Sequence, residues 1–254
     1  MRRSSLKIAV IAAIFLFLGV AGGAIGMAMI PSSGSAPSIY DDFEWSSAAN
    51  GFWHVNALGA TQRIADGVAK LSGNSIELDR RVQTDPHSTV IAVRIRGIKF
   101  HKFQIGMGVY HAGTMGLEFD NDGIKCGRGT DQGWKVDGMT VWSNPPVGKW
   151  YYLQLKVINP YPDPDAIDRL YEKYGDNAKD KIKPVTLECS AWDARGKLLR
   201  SVRPHDPPPN ANYAGLDEAY MRTWDSNNEY DVDWLYAGPP SGNPLNTVVR
   251  GKRP

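Results

Sequence analysis

The 254-residue sequence has no charged residue between Lys7 and Asp41, holds only two cysteines, Cys126 and Cys189, and lacks any CxxC, HExxH, GxSxG or Cys/His cluster. Each absence excludes something. Without thiols and imidazoles at ligand spacing there is no zinc site to expect. Without GxSxG the serine hydrolases of α/β type lose their motif, and His54, His87, His101, His111 and His205 are scattered singly. The net charge is only +2, and the one basic block is the tail Arg250-Gly251-Lys252-Arg253-Pro254. A nucleic-acid partner is therefore not expected. Strand and helix patterns do not alternate along the chain, so a parallel α/β sheet is out as well.

The uncharged stretch is itself a feature. Ile8 to Ile30 is an unbroken run of 23 apolar and small residues, long enough to span a bilayer core, which takes ~20. Arg2, Arg3 and Lys7 precede it and no base follows nearby, an arrangement that keeps the N-terminus in the cytoplasm and exports the rest. The length favours a retained signal anchor and a single-pass membrane protein with its domain outside. The small residues Ala21-Gly22-Gly23-Ala24 leave open a cleaved signal peptide and a secreted product. A Pro/Ser/Gly linker follows, Pro31 to Ser38. In an oxidising exterior Cys126 and Cys189 are either a disulfide or two buried thiols, and both readings stay open.

From Trp53 onward the hydrophobic period is mostly two. Val90 to Arg96, Lys149 to Val157 and Val185 to Trp192 read as strands. Ala65-Asp66-Gly67, Asn121-Asp122-Gly123, Val136-Asp137-Gly138 and Asp193-Ala194-Arg195-Gly196 read as turns. Closely spaced strands between turns point to an all-β sandwich or barrel. One insertion interrupts them: Asp165 can cap a helix from Ala166 to Tyr174, with Ile167, Leu170, Tyr171 and Tyr174 on one face and Gly175 as its stop. The chain thus divides into a membrane or signal segment at 1–30, a linker at 31–39, a β-sandwich at 40–239 with a helical insertion at 160–184, and a flexible basic tail at 240–254.

Taken in order, Tyr40-Asp41-Asp42-Phe43-Glu44, Gly51-Phe52-Trp53-His54-Val55, Asp66-Gly67-Val68-Ala69-Lys70-Leu71, Gly148 to Leu155, Ala191 to Leu198 and Tyr230-Asp231-Val232-Asp233-Trp234-Leu235-Tyr236 together resemble the concanavalin A-like lectin/glucanase superfamily, laminin-G-like domains included. The likeness spans nearly all of 40–238. It implies a jelly roll of two antiparallel sheets, one of them often concave and able to hold a glycan or peptide. It also implies that the first and last strands lie together, where Asp41 or Asp42 and Asp233 would hold a structural calcium ion.

The glucanases of that superfamily carry acids on alternate residues of one strand, and the matching run here is Leu117-Glu118-Phe119-Asp120-Asn121-Asp122. Glu118 would be nucleophile, Asp122 acid/base and Asp120 the group orienting them, as a retaining glycosidase requires two carboxylates ~5 Å apart. Against this, Asn121-Asp122-Gly123 is a hairpin signal that takes Asp122 out of the strand. The reading preferred is non-catalytic: an extracytoplasmic module that binds a glycan or a cell-surface protein. A laminarinase-type hydrolase and a structural envelope or adhesion module are the alternatives. Eight Trp and eleven Tyr supply surfaces on which sugars stack. The ligand residues expected are Trp134 and Trp142, facing each other across a hairpin, with Asp137, Tyr110 and His111. Trp150, Trp192 and Trp234, in the most regular strands, are expected in the core.

Overall fold

A computed structural model describes residues 38–43, 54–57, 61–65, 67–73, 76–82, 88–99, 102–108, 114–130, 133–159, 166–181, 185–204, 218–224 and 228–249. The apolar segment 1–30, Tyr110, His111 and the basic residues 250–254 lie outside this set. The described strands are β1 (Ile39–Asp41), β2 (His54–Ala57), β3 (Thr61–Ala65), β4 (Val68–Ser72), β5 (Ile76–Arg81), β6 (Ser88–Lys99), β7 (Lys102–Met107) and β8 (Met115–Asp120). They continue with β9 (Gly123–Thr130), β10 (Gly133–Val141), β11 (Trp150–Ile158), β12 (Thr186–Asp193), β13 (Leu198–Val202), β14 (Glu218–Trp224) and β15 (Glu229–Gly238). Helix α1 (Ala166–Tyr174) lies between β11 and β12, and α2 (Leu245–Val249) follows the last strand.

The strands form two antiparallel sheets. One runs β13-β12-β11-β6-β15-β4-β3, with β1 also paired to β15; the other runs β10-β9-β8-β7-β14-β5-β2. As the resemblance implied, the first and last strands lie together, with Ile39 opposite Ala237 and Asp41 opposite Leu235. Alternation sets the core. Ile91, Val93 and Ile95 of β6 and Leu153, Leu155 and Val157 of β11 point inward from the first sheet, toward Phe103, Ile105, Leu117 and Phe119 of the second; all are fully buried. Cys126 on β9 and Cys189 on β12 form a disulfide, with Cα atoms 5.8 Å apart, that ties one sheet to the other.

The eight-stranded sheet is apolar on both faces over part of its area. On the face away from the core, Val90, Ala92, Tyr152, Trp234 and Tyr236 form a second cluster with Leu245 of α2. Of the three tryptophans expected in the core, Trp234 is buried, at 8% exposed, whereas Trp150 and Trp192 are half-buried. Trp234 belongs to that second cluster and Trp192 packs against it. Trp150 shares the β11 face of Tyr152 and Gln154, because it is Tyr151 that points into the core. The same packing explains the C-terminal segment, expected to be a flexible tail. Residues 240–249 form a 3-10 turn and α2, with Leu245 only 2% exposed and Asn243 donating its side-chain amide to Gln154 at 2.7 Å.

Two further expectations meet the structure locally. The α-helix occupies Ala166–Tyr174 and ends at Gly175 as expected, where φ is 55°; a separate 3-10 segment then runs on to Asp180. Val136-Asp137-Gly138 is not a turn. Strand β10 runs through it, and the register against β9 shifts by one between Val136 and Gly138. That is a β-bulge, which a Gly and a short polar residue accommodate as readily as they do a turn.

Candidate functional site

Three places hold the residues singled out by sequence. The first is the face of the seven-stranded sheet turned away from the core. Here Glu118 and Asp120 of β8 lie side by side and share one cation, Lys125 of β9, whose ammonium donates to Asp120 at 2.5 Å and to Glu118 at 3.3 Å. Asp120 also accepts the backbone N–H groups of Asp122 at 2.8 Å and Gly123 at 3.1 Å. Asp122 sits in that turn and is exposed, so the structure does not bring it to Glu118. Both remaining carboxylates are closed off, with Glu118 4% and Asp120 2% exposed. Burial raises the Glu118 carboxyl above its ordinary range, and Asp120 adds to this, against the pull of Lys125. Arg222 donates to Gln104 at 2.6 Å in the same buried layer.

A glycine lane crosses this face, and no reading of the sequence anticipated it. Gly106, Gly116 and Gly127 lie opposite one another on β7, β8 and β9. Aromatic rings occupy the space their side chains would take. A Cβ on Gly127 would lie 2.8 Å from the Trp134 ring, one on Gly116 2.9 Å from it, and one on Gly106 2.2 Å from the Tyr220 hydroxyl. Trp134 is thus laid over the sheet rather than across a hairpin from Trp142. Asp137, at the bulge, has a side chain only 8% exposed and lies 3.4 Å from the Arg128 guanidinium, and desolvation raises its carboxyl above the usual range despite that guanidinium.

The second place is where β1 meets β15. Burial raises the Tyr40 hydroxyl above its ordinary value, and the negative charges of Asp42, Asp233 and Asp41 add to it. Their fit to calcium is poor. Asp41 accepts the Phe43 N–H at 2.8 Å and Asp233 is matched to Arg94 at 2.5 Å. Among the described residues no group of three metal-ligating side chains converges, and calcium needs six to eight oxygens.

The third place is an open cavity of about 460 Å³ lined by Trp142, Pro146, Lys149, Trp150, Tyr151, Asp193, Ala194, Arg195 and Leu199. Two stretches of chain build it: residues 142–151, which run from the β10–β11 connection into the start of β11, and residues 193–199, the β12–β13 turn with Leu199 beyond it. The connection is pinned at both ends, by the Trp142 N–H to the Asp122 carbonyl at 3.0 Å and the Gly148 N–H to the Gly97 carbonyl at 2.9 Å. Trp142 stands edge-on to Tyr151, with ring centres 4.9 Å apart, and packs on Phe119 at 5.6 Å. The Tyr151 hydroxyl donates to the Pro146 carbonyl at 3.1 Å. Trp150 is steadied by the guanidinium groups of Arg94 and Arg96, 4.6 and 4.7 Å from its ring centre, and these are held in turn by Asp233 and Asp231.

The turn contributes a fixed charge. Asp193 accepts the N–H groups of Arg195 at 2.8 Å and Lys197 at 3.0 Å. Burial works to raise its carboxyl, but those N–H groups and the two cations outweigh it and hold the group below the ordinary range. Gly196 closes the turn with φ of 80° and passes against α2, where a Cβ would lie 2.7 Å from the Val248 carbonyl. Of the expected ligand residues that are described, Trp134, Asp137 and Trp142, the cavity gathers Trp142 alone. Trp150, expected in the core, and Lys149, Asp193 and Arg195 join it; the turn signal at Asp193 to Gly196 was the one hint of their position.

No protein-family model and no curated protein matches this sequence. Among solved structures, the chain is similar to a protein of unknown function from Shewanella oneidensis MR-1, at a TM-score of 0.52 and 10% identity over 84% of this chain and 91% of that one. It is also similar to the CBM2 module of the evolved Dit of Lactobacillus casei BL23 phage J-1 (TM-score 0.50, 8% identity, 80% and 95% covered). Peanut lectin matches to the same degree (TM-score 0.50, 8% identity, 80% and 97% covered). At such identities the likeness is one of fold: a two-sheet antiparallel sandwich shared with lectins and a carbohydrate-binding module.

Proposed function

We propose that this chain is a non-catalytic carbohydrate-binding module, a jelly roll of concanavalin A-like type, and that it takes a sugar in the cavity between Trp142 and Trp150. The observation that carries the reading is the wall of that cavity. Indole and phenol rings fixed from several sides line it; such rings can meet a sugar's C–H surface, and a pre-placed aromatic loses little entropy on binding. Asp193, Lys149 and the backbone of the turn supply polar partners for hydroxyl groups at the rim. Peanut lectin and the phage module, which share the sandwich, favour this use of it over an adhesive or purely structural one.

Two observations favour binding over hydrolysis. Glu118 and Asp120 are closed to solvent and share one ammonium, whereas a glycosidase needs an accessible acid and an accessible nucleophile. Among the described residues, Asp193 is the one carboxylate that lines the cavity. Display outside the cytoplasm is supported by the run Ile8 to Ile30 and by the disulfide, since such bonds persist in oxidising compartments. Titration calorimetry of the full chain in detergent against soluble oligosaccharides tests the reading. Trp150→Ala, outside the main core, is expected to abolish binding while the far-UV spectrum stays unchanged. Binding that survives in the variant would place the sugar elsewhere, and release of reducing ends by the wild-type protein would make it a hydrolase.

A further inference from the structure

The cations around the cavity outnumber its carboxylates. Lys149 is exposed at the lip and Arg195 has a side chain 92% exposed, 4.0 Å from Asp193. Arg200 lies over Trp142 at 5.7 Å and spends its guanidinium donors on the carbonyls of Val141 and Leu199 rather than on an acid. Among the described residues Asp193 is the one acid that lines the space, and one of its oxygens already serves two backbone N–H groups. The contrast with the neighbouring arginines is sharp: Arg94 and Arg96, which also lie against Trp150, are each matched by an aspartate. Positive charge at the cavity is thus left uncompensated, in a molecule whose net charge is only +2.

We infer that the sugar this cavity takes is acidic, a carboxylate-bearing residue such as a hexuronic acid within a polysaccharide. This rests on the carbohydrate-binding reading above. The ring stacks on the tryptophans while its carboxylate meets Lys149 and Arg195. The planar guanidinium of Arg195 matches a carboxylate with two parallel N–H···O bonds. Because both cations are solvent-exposed, their attraction is screened by salt, with a Debye length of about 10 Å at 0.1 M.

The test uses the full chain in detergent with two probes, a short oligogalacturonate and a neutral β-glucan oligomer, at low and high salt. The acidic oligomer is expected to bind more tightly, and salt to weaken it selectively. The double variant Lys149→Met, Arg195→Ala changes only exposed positions; it is expected to lose about tenfold or more in affinity for the acidic probe, as bonds to charged groups imply, and only the smaller effect of one lost hydroxyl contact at Lys149 for the neutral one. Equal binding of both probes, indifferent to the double variant, would overturn the acidic assignment and leave carbohydrate binding standing. Failure of both probes to bind, including capture of the protein by phosphatidylglycerol vesicles alone, would overturn both.

Discussion

At the scale of single residues, the glycines of β7, β8 and β9 matter as much as the aromatics. Gly127 leaves room for the Trp134 ring, and its missing Cβ would also lie 2.3 Å from the Lys135 carbonyl. Backbone cannot give way as a side chain can, so Gly127→Ala is expected to destabilise by about 1–3 kcal/mol, the usual cost of overpacking. Urea titration measures it; an unchanged midpoint would mean the lane is not filled as described. The residue types here were legible in the sequence but not their roles. Glu118 and Asp120 were read as neighbours on one strand face, and they are. That one ammonium would occupy both was not readable, because Lys125 comes from the next strand and only the register across Asn121-Asp122-Gly123 delivers it.

At the scale of elements, strands β6, β11 and β12 were legible from their period of two, and α1 from its spacing; its expected cap, Asp165, lies outside the described residues. What alternation alone does not say is which face meets the main core. On β11, Trp150 and Tyr152 are as apolar as Tyr151 and Leu153, since the C-terminal segment covers part of the second face. That segment, read as a tail from its Gly, Pro and Asn content, is held by Leu245. Leu245→Ala is expected to cost about 2–5 kcal/mol as a buried Leu truncation. Because Gly196 rests on Val248, the same variant should loosen the β12–β13 turn and weaken sugar binding. Hydrogen exchange at the Gly196 and Lys197 amides reads this directly, and unchanged protection there would separate the turn from the helix.

For the whole molecule, the two sheets are joined by their core and by one covalent link. The disulfide spans 63 residues of sequence, and closing a loop of that length removes denatured-state entropy equivalent to about 4 kcal/mol. Cys189→Ala, or reduction of the wild-type protein, should lower stability by roughly that amount, seen as a shift in the urea midpoint; equal midpoints in both redox states would contradict it. The sequence left the pairing open because cysteines 63 apart meet only once both sheets are in place. The cavity was hidden for the same reason. Its walls come from two stretches of chain, 142–151 and 193–199, that the sandwich brings together, so no local spacing announced it, and of its aromatics only Trp142 was named for binding.

The most direct test of sugar binding in this cavity is titration of wild type and Trp150→Ala with the acidic and the neutral oligosaccharide under one buffer. Saturable binding by wild type, stronger for the acidic probe and absent from Trp150→Ala, is the predicted result. Undiminished binding by Trp150→Ala, with its fold intact, would contradict it.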